Sequence, residues 1–163
     1  MKTFLWTSIF VFALAGCATT KPVNYSNHPP SQVYAASFDL VWRAIQLVMA
    51  RYPLRLNNAD AGLLETETIR TDGAWRPPFD QHAHLGAGYR YRLQIRVLKG
   101  KSQNRPAIKV VILKRAHIVR SFFSAPQKLA SDGFEERALL YRIAREIAID
   151  RALAKAQKSG GNQ

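Results

Sequence analysis

Apolar and polar residues alternate from Tyr89 to Val97 in the stretch YRYRLQIRVLKG, Tyr89 to Gly100. Tyr89, Tyr91, Leu93, Ile95 and Val97 fall on one side, and Arg90, Arg92, Gln94 and Arg96 on the other. A period of two predicts a half-buried β-strand. The arginine row then lies opposite the core. Whether it meets water, neighbouring carboxylates or an anionic partner is the functional question the pattern raises.

The rest of the chain can be divided the same way. Gln32 to Ala36 suits a short first strand. Ser37 is a suitable N-cap for a helix from Phe38 to about Arg51, because its hydroxyl can accept from a free N–H of the first turn. Phe38, Val41, Trp42, Ile45, Val48 and Met49 share a broad face of that helix, against a narrow polar stripe of Asp39, Arg43 and Gln46. Trp42 is therefore expected in the core. Pro53 ends the helix, since it pushes the residue before it out of the α region. Leu54 to Asn57 reads as a short strand, and Asn57 to Gly62 as a turn.

Leu63 to Arg70 reads as the next strand, with Leu64, Thr66 and Thr68 on one face and Leu63, Glu65, Glu67 and Ile69 on the other. A long connection, Thr71 to Gly88, leads to the arginine strand. Gly100 to Pro106 reads as a polar hairpin loop. A strand from Ala107 to about Val119 follows, and Ser121 to Ala130 reads as irregular. Asp132 can cap a final helix running to about Lys155, with Glu135 and Glu136 in its first turn complementing the dipole. Leu140, Ile143, Ala144 and Ile147 mark its core face. Ile149 and Leu153 lie off that face.

The predicted order is β-α-β-β-β-β-α. Hairpin-like connections imply an antiparallel sheet of about four to five strands, with both helices on one face. This is an α+β, helix-grip-like sandwich. Its other sheet face would carry the arginines.

The first residues change the picture of where such a domain works. Lys2 precedes an apolar run, Phe4 to Leu14, that is too short to span a bilayer as a stable helix. Leu14-Ala15-Gly16-Cys17 follows, and this resembles the lipobox of bacterial lipoproteins. The resemblance implies cleavage before Cys17 and lipidation of its thiol (diacylglycerol, with palmitate-type chains). Ala18 in place of Asp implies sorting to the outer membrane, with the domain in the periplasm. On this reading residues 1–16 are the signal peptide, 17–32 an acylated cysteine and flexible tether, 33–157 one α+β domain, and 158–163 a frayed tail. Cys17 is the only cysteine, so once acylated it leaves none to form a disulfide.

The formal net charge is +13. In the cytosol that balance would suggest nucleic acid. An envelope lipoprotein meets other polyanions, such as lipopolysaccharide, cell-wall polymer and lipid phosphate, and nucleic acid is not expected.

The stretch SFDLVWRAIQLVMARYPLRLNNADAGLLETET, followed by YRYRLQIRVL, resembles the repeated domain of BamC, the lipoprotein component C of the outer-membrane β-barrel assembly machinery. The matching positions are Trp42, the Asp60–Gly62 turn and Tyr89 to Arg92, within a span of about Val33 to Gln157. The resemblance implies an accessory subunit of an envelope machine. This chain has one such domain where BamC has two, and it lacks a long acidic-aromatic docking segment. The machine therefore stays open among barrel assembly, secretion and flagellar-type complexes. Small lipoproteins of lipopolysaccharide transport also pair two helices with an antiparallel sheet.

Candidate chemistry is sparse. Glu65 and Glu67 could divide acid and base roles, but cross-strand pairing with Arg90, Arg92 or Arg96 accounts for them better. Asp80, His82 and His84 alternate in the long loop in a pattern that could bind zinc, but without a fourth ligand nearby no metal site is expected. Gly86-Ala87-Gly88 precedes a strand, not a helix, and so is not a phosphate loop. No cofactor and no enzymatic activity are expected.

Two binding readings remain. Trp75, Phe79 and Leu85 in the long loop, with Phe122 and Phe123, could be aromatic anchors for docking on other envelope proteins. They could equally fold back to complete the core. Alternatively, Arg90, Arg92, Arg96, Lys109 and Arg115 could form a basic face that binds lipopolysaccharide or cell-wall polymer such as peptidoglycan.

Overall fold

The computed structural model describes residues 28–79, 88–121 and 123–160. The signal segment, Cys17 and most of the tether lie outside the described residues. So do Asp80, His82, His84, Leu85, Phe122 and residues 161–163.

The first strand, β1 (Ser31–Tyr34), leads into helix α1 (Phe38–Met49). Ser37 caps this helix, its Oγ accepting from the Leu40 N–H at 3.4 Å. Val41, Trp42, Ile45, Val48 and Met49 are buried along it, as the periodicity predicts; Ala44 is buried beside them, and Phe38, expected on the same face, is half-buried. Strands β2 (Leu54–Asn58), β3 (Leu63–Thr66) and β4 (Ile69–Arg70) follow. A 3₁₀ turn at Thr71–Gly73 then opens the long connection to β5 (Tyr89–Ser102). Strand β6 (Arg105–Ile118), the short β7 (Gln127–Leu129) and helix α2 (Phe134–Gly160) complete the chain.

All strand pairings are antiparallel, in the sheet order β1-β6-β5-β3-β2, with β4 also on β5 and β7 also on β6. The α+β class and antiparallel sheet are as predicted, but there are seven strands instead of four or five. Two local causes account for the excess. The expected strand Leu63–Arg70 is split, because the Thr66 side chain enters the ladder. Its Oγ1 accepts the Leu93 N–H at 3.0 Å, while the Glu67 N–H turns away to Pro53 O at 2.8 Å. The alternation resets across this break. Ile69 therefore lies opposite Tyr91 on the core side, not on the face of Glu65. The segment Ser121–Ala130, expected to be irregular, supplies β7, which continues the β6 edge beyond the end of β1.

The expected loop Gly100–Pro106 is also strand almost throughout. Gln103 and Asn104 hold φ values of 50° and 59°, and Ser102 pairs with Arg105. Two consecutive residues in the left-handed region make the two-residue turn whose twist matches the flanking strands.

One face of the sheet is covered. Tyr91, Leu93, Ile95 and Val97 of β5 and Ile108, Val110 and Ile112 of β6 pack in one cluster with the buried faces of α1 and α2. Burying each such side chain stabilises by about 1.5–3 kcal/mol. Leu139, Leu140, Ile143 and Ile147 are the α2 contribution. The Tyr34 hydroxyl ties β1 to α2 by donating to Leu140 O at 2.9 Å. At the surface Arg43 of α1 reaches Asp150 of α2 at 2.5 Å.

Gly62 has a specific reason to be glycine. Its φ is +61°, and its carbonyl accepts the Val97 N–H at 2.8 Å. A Cβ there would stand 2.4 Å from Val97 O. Strand β5 can approach the turn only because no side chain intervenes.

Candidate functional site

The register places Arg90, Arg92, Gln94, Arg96 and Leu98 of β5 beside His117, Arg115, Leu113, Val111 and Lys109 of β6. These are the side chains pointing away from both helices. Arg90, Arg92, Arg96, Lys109 and Arg115 are all exposed, so the five predicted basic residues do share one open face. Val33 of β1 and Leu98, both about half exposed, give it an aliphatic edge next to Lys109.

What binds the guanidinium groups is informative. Arg92 Nε donates to Thr68 Oγ1 at 2.8 Å. Arg96 and Arg115 both donate to Gln94 Oε1, at 3.1 and 3.3 Å. These acceptors are neutral, so they orient the arginines without offsetting their charge. Like charges also stand directly opposite each other, Arg70 against Arg90 and Arg92 against Arg115. Such cross-strand pairs are destabilising.

The expected pairing of Glu65 with this row does not occur. Glu65 lies opposite Gln94 and bonds Arg55 of β2 at 2.7 Å. Arg55 lies on the neighbouring strand and reaches Glu65 first. Glu67, expected beside Glu65 on one strand face, falls in the break between β3 and β4 and is exposed. The two carboxylates therefore do not form an acid–base pair.

The predicted anchors divide. Trp75 is half-buried, and its backbone N–H donates to Tyr91 Oη at 3.1 Å. Phe79 is 75% exposed and pairs edge-to-face with Phe134, with ring centroids 5.5 Å apart. Phe123 is 96% exposed. Leu85 and Phe122 lie outside the described residues. Trp75 is not part of the core cluster, whereas Phe79 and Phe123 are exposed at the surface. Among the described residues no cluster of three or more His, Cys, Asp or Glu could hold a metal ion.

A buried polar cluster was not expected from the sequence. Glu135, in the first turn of α2, is fully buried and Glu136 is 1% exposed. The Tyr52 and Tyr91 hydroxyls each donate to Glu135 Oε1 at 2.9 Å. Lys114 Nζ lies 2.9 Å from Oε2 and 4.4 Å from the centre of the Tyr91 ring. The Lys114–Oε2 contact is not aligned as a hydrogen bond, but at that separation between buried groups charge attraction dominates. Burial pushes the Lys114 ammonium down, and Glu135 with Tyr89 and Asp132 outweighs this, holding it above the ordinary lysine range. Burial, and then Glu135, push the Tyr91 phenol well above its ordinary value. Burial also raises Glu136, although Ser131 Oγ donates to it at 2.6 Å.

The signal for this cluster was present in the chain. Lys114 occupies an inward position in the series Ile108, Val110, Ile112, Lys114, Ala116. A cation in such a row requires a buried anion.

Beside this cluster a cleft of about 530 Å³ opens between the start of β2, β4, the 3₁₀ turn and α2. Arg51, Tyr52, Pro53, Thr68, Ile69, Arg70, Asp72, Gly73, Trp75 and Arg142 line it. Tyr52 thus has its ring in the cleft wall and its hydroxyl on buried Glu135. Thr68 and Arg70 connect the cleft to the basic face.

No protein-family model matches the chain, and a search of curated proteins finds no match.

Proposed function

We propose that this is a non-enzymatic lipoprotein of the bacterial outer membrane, anchored through Cys17, whose open sheet face binds an anionic envelope polymer such as lipopolysaccharide. One observation carries the reading. The uncovered face sets Arg70 against Arg90 and Arg92 against Arg115, and gives the arginines neutral acceptors in place of carboxylates. An arrangement that costs the folded protein stability is explained if an anion relieves the repulsion when it binds. The anchor rests on the lipobox-like Leu14–Cys17. A binding role also suits Glu135, whose oxygens are buried and already engaged by Lys114, Tyr52 and Tyr91.

The test is binding to lipopolysaccharide-containing vesicles across a salt series. Affinity should fall steeply with ionic strength, because exposed charges are screened. The triple substitution Arg92→Gln, Arg96→Gln, Arg115→Gln should abolish binding. Salt-independent binding, or full binding by the triple variant, would overturn the reading.

A second reading keeps the protein as an accessory subunit docked on an envelope machine. The exposure of Phe79 and Phe123, 75% and 96%, favours it. Substituting both by Ala should then release co-purifying envelope subunits while leaving vesicle binding unchanged.

A further inference from the structure

We propose that the cleft between β4, the 3₁₀ turn and α2 is a discrete binding site for a phosphorylated sugar. The proposal deepens the anionic-polymer reading and rests on it, since the cleft would take a terminal phosphosugar of the polymer whose chain crosses the open face.

The first argument is charge. Arg51, Arg70 and Arg142 line the cleft with Asp72 as the only carboxylate. All three guanidinium groups belong to exposed residues, and among the described residues none makes an ion pair. They come from three different parts of the fold: the turn between α1 and β2, strand β4 and helix α2. Guanidinium groups converging from separate directions can surround a tetrahedral phosphate and bond it through paired N–H donors.

The second argument is shape and rigidity. The cleft volume, about 530 Å³, falls in the range of small-molecule sites. Two of its walls are aromatic, Tyr52 and Trp75. The Tyr52 ring is fixed from behind by its hydroxyl bond to Glu135, and the chain at Trp75 is held by its backbone N–H bond to the Tyr91 hydroxyl. Aromatic faces held in place suit the C–H face of a sugar ring, and little ordering entropy is lost on binding. Phosphate alone would leave these walls unused.

The third argument is position. Arg70 lies opposite Arg90, and Thr68 accepts from Arg92, so the cleft opens onto one end of the arginine row. A chain bound along the row would present its end group there.

The experiment is isothermal titration of the intact protein with glucose 1-phosphate, inorganic phosphate and glucose, followed by the salt-series vesicle assay on the same variants. Glucose 1-phosphate should bind saturably and at least about tenfold more tightly than inorganic phosphate, with glucose alone undetectable. The double substitution Arg51→Gln, Arg142→Gln touches exposed residues away from the open face. It should reduce glucose 1-phosphate binding by about tenfold or more, with an unchanged thermal melt. The triple variant of the open face should lose vesicle binding yet keep glucose 1-phosphate.

Two further probes separate the sources of the ligand. If the site serves a polymer end group, the phosphorylated core oligosaccharide released from lipopolysaccharide by mild acid should bind more tightly than glucose 1-phosphate. If it binds only as tightly, the cleft serves free sugar phosphates and the polymer end-group role is overturned. No saturable binding of glucose 1-phosphate, equal affinity for inorganic phosphate, or full binding by the double variant would overturn the cleft. Vesicle binding that survived in the wild type would then leave the open-face reading standing by itself.

Discussion

Replacing Lys114 by Met tests whether the buried cluster is held by charge or only by packing. The Lys114 side chain is 7% exposed and that of Glu135 is 0%. Methionine keeps a similar length and can cover the Tyr91 ring, so no large cavity opens. What is lost is the cation 2.9 Å from Glu135 Oε2. Removing one partner of a buried ion pair costs about 3–5 kcal/mol, because the remaining charge stays desolvated. Two features of this site reduce that figure. Tyr52 and Tyr91 still donate to Oε1, and the carboxylate still sits in the first turn of α2, where the helix dipole contributes up to about 2 kcal/mol. The expected loss is therefore about 3 kcal/mol.

Urea denaturation at neutral pH, followed by tryptophan fluorescence, measures it, with Trp42 in the core and Trp75 beside the cluster as reporters. Glu135→Gln alone strands the ammonium and should also cost about 2–3 kcal/mol. The double variant removes both charges while keeping an acceptor for the two tyrosines. It should lie within about 1.5 kcal/mol of wild type, a non-additivity of several kcal/mol that identifies a direct charge pair. A loss below about 1 kcal/mol for Lys114→Met, or losses that simply add in the double variant, would refute the reasoning.

Two further predictions concern stability. Gly62→Ala should destabilise by about 2–4 kcal/mol, because it combines a positive φ with a Cβ pressed against Val97 O; a wild-type melting temperature would contradict the turn geometry. Glu136→Gln should change the pH dependence. Burial holds the Glu136 carboxyl above its ordinary value of 4.5, so the folded state keeps a proton that the unfolded state releases. The resulting penalty is absent below pH 4.5 and grows as pH rises through the window between the two values. The Gln variant should therefore gain stability relative to wild type at pH 7.5 and not at pH 4, in paired thermal melts. An equal effect at both pH values would show that the charge is not the cause.

Periodicity revealed most of the frame. The apolar face of α1 and the alternation of β5 need only the spacing of side chains, and five of the six residues expected on the α1 face are buried, as are Tyr91, Leu93, Ile95 and Val97 of β5. What escaped were features in which one group replaces another. At Gln103–Asn104 the turn lacks glycine, and Asn104 alone did not mark how tight the expected hairpin is. At Thr66 a side-chain oxygen takes the place of a backbone carbonyl, and the strand breaks where its residues look continuous. Glu135 and Glu136 read as complements to a helix dipole, because that role and burial near Lys114 place acids at the same positions. The basic face was legible residue by residue. The cleft was not, because its lining comes from separate elements that only the fold brings together.

The distribution of acids joins the buried cluster to the open face. The chain has 24 lysines and arginines against 11 aspartates and glutamates, so where the few acids go determines where positive charge remains. Glu135 and Glu136 are withdrawn into the interior. Glu65 is committed to Arg55, and Asp150 to Arg43 across the helix pair. None of these is ion-paired with Arg90, Arg92, Arg96 or Arg115, and the acceptors bonded to that row among the described residues are Thr68 and Gln94. A basic surface needing only solubility could have alternated its charges and gained cross-strand attraction. This one segregates them and keeps the repulsion. The acids that are buried or committed elsewhere leave the charge of the sheet face unpaired by carboxylates among the described residues, which is the feature the proposed anion binding uses.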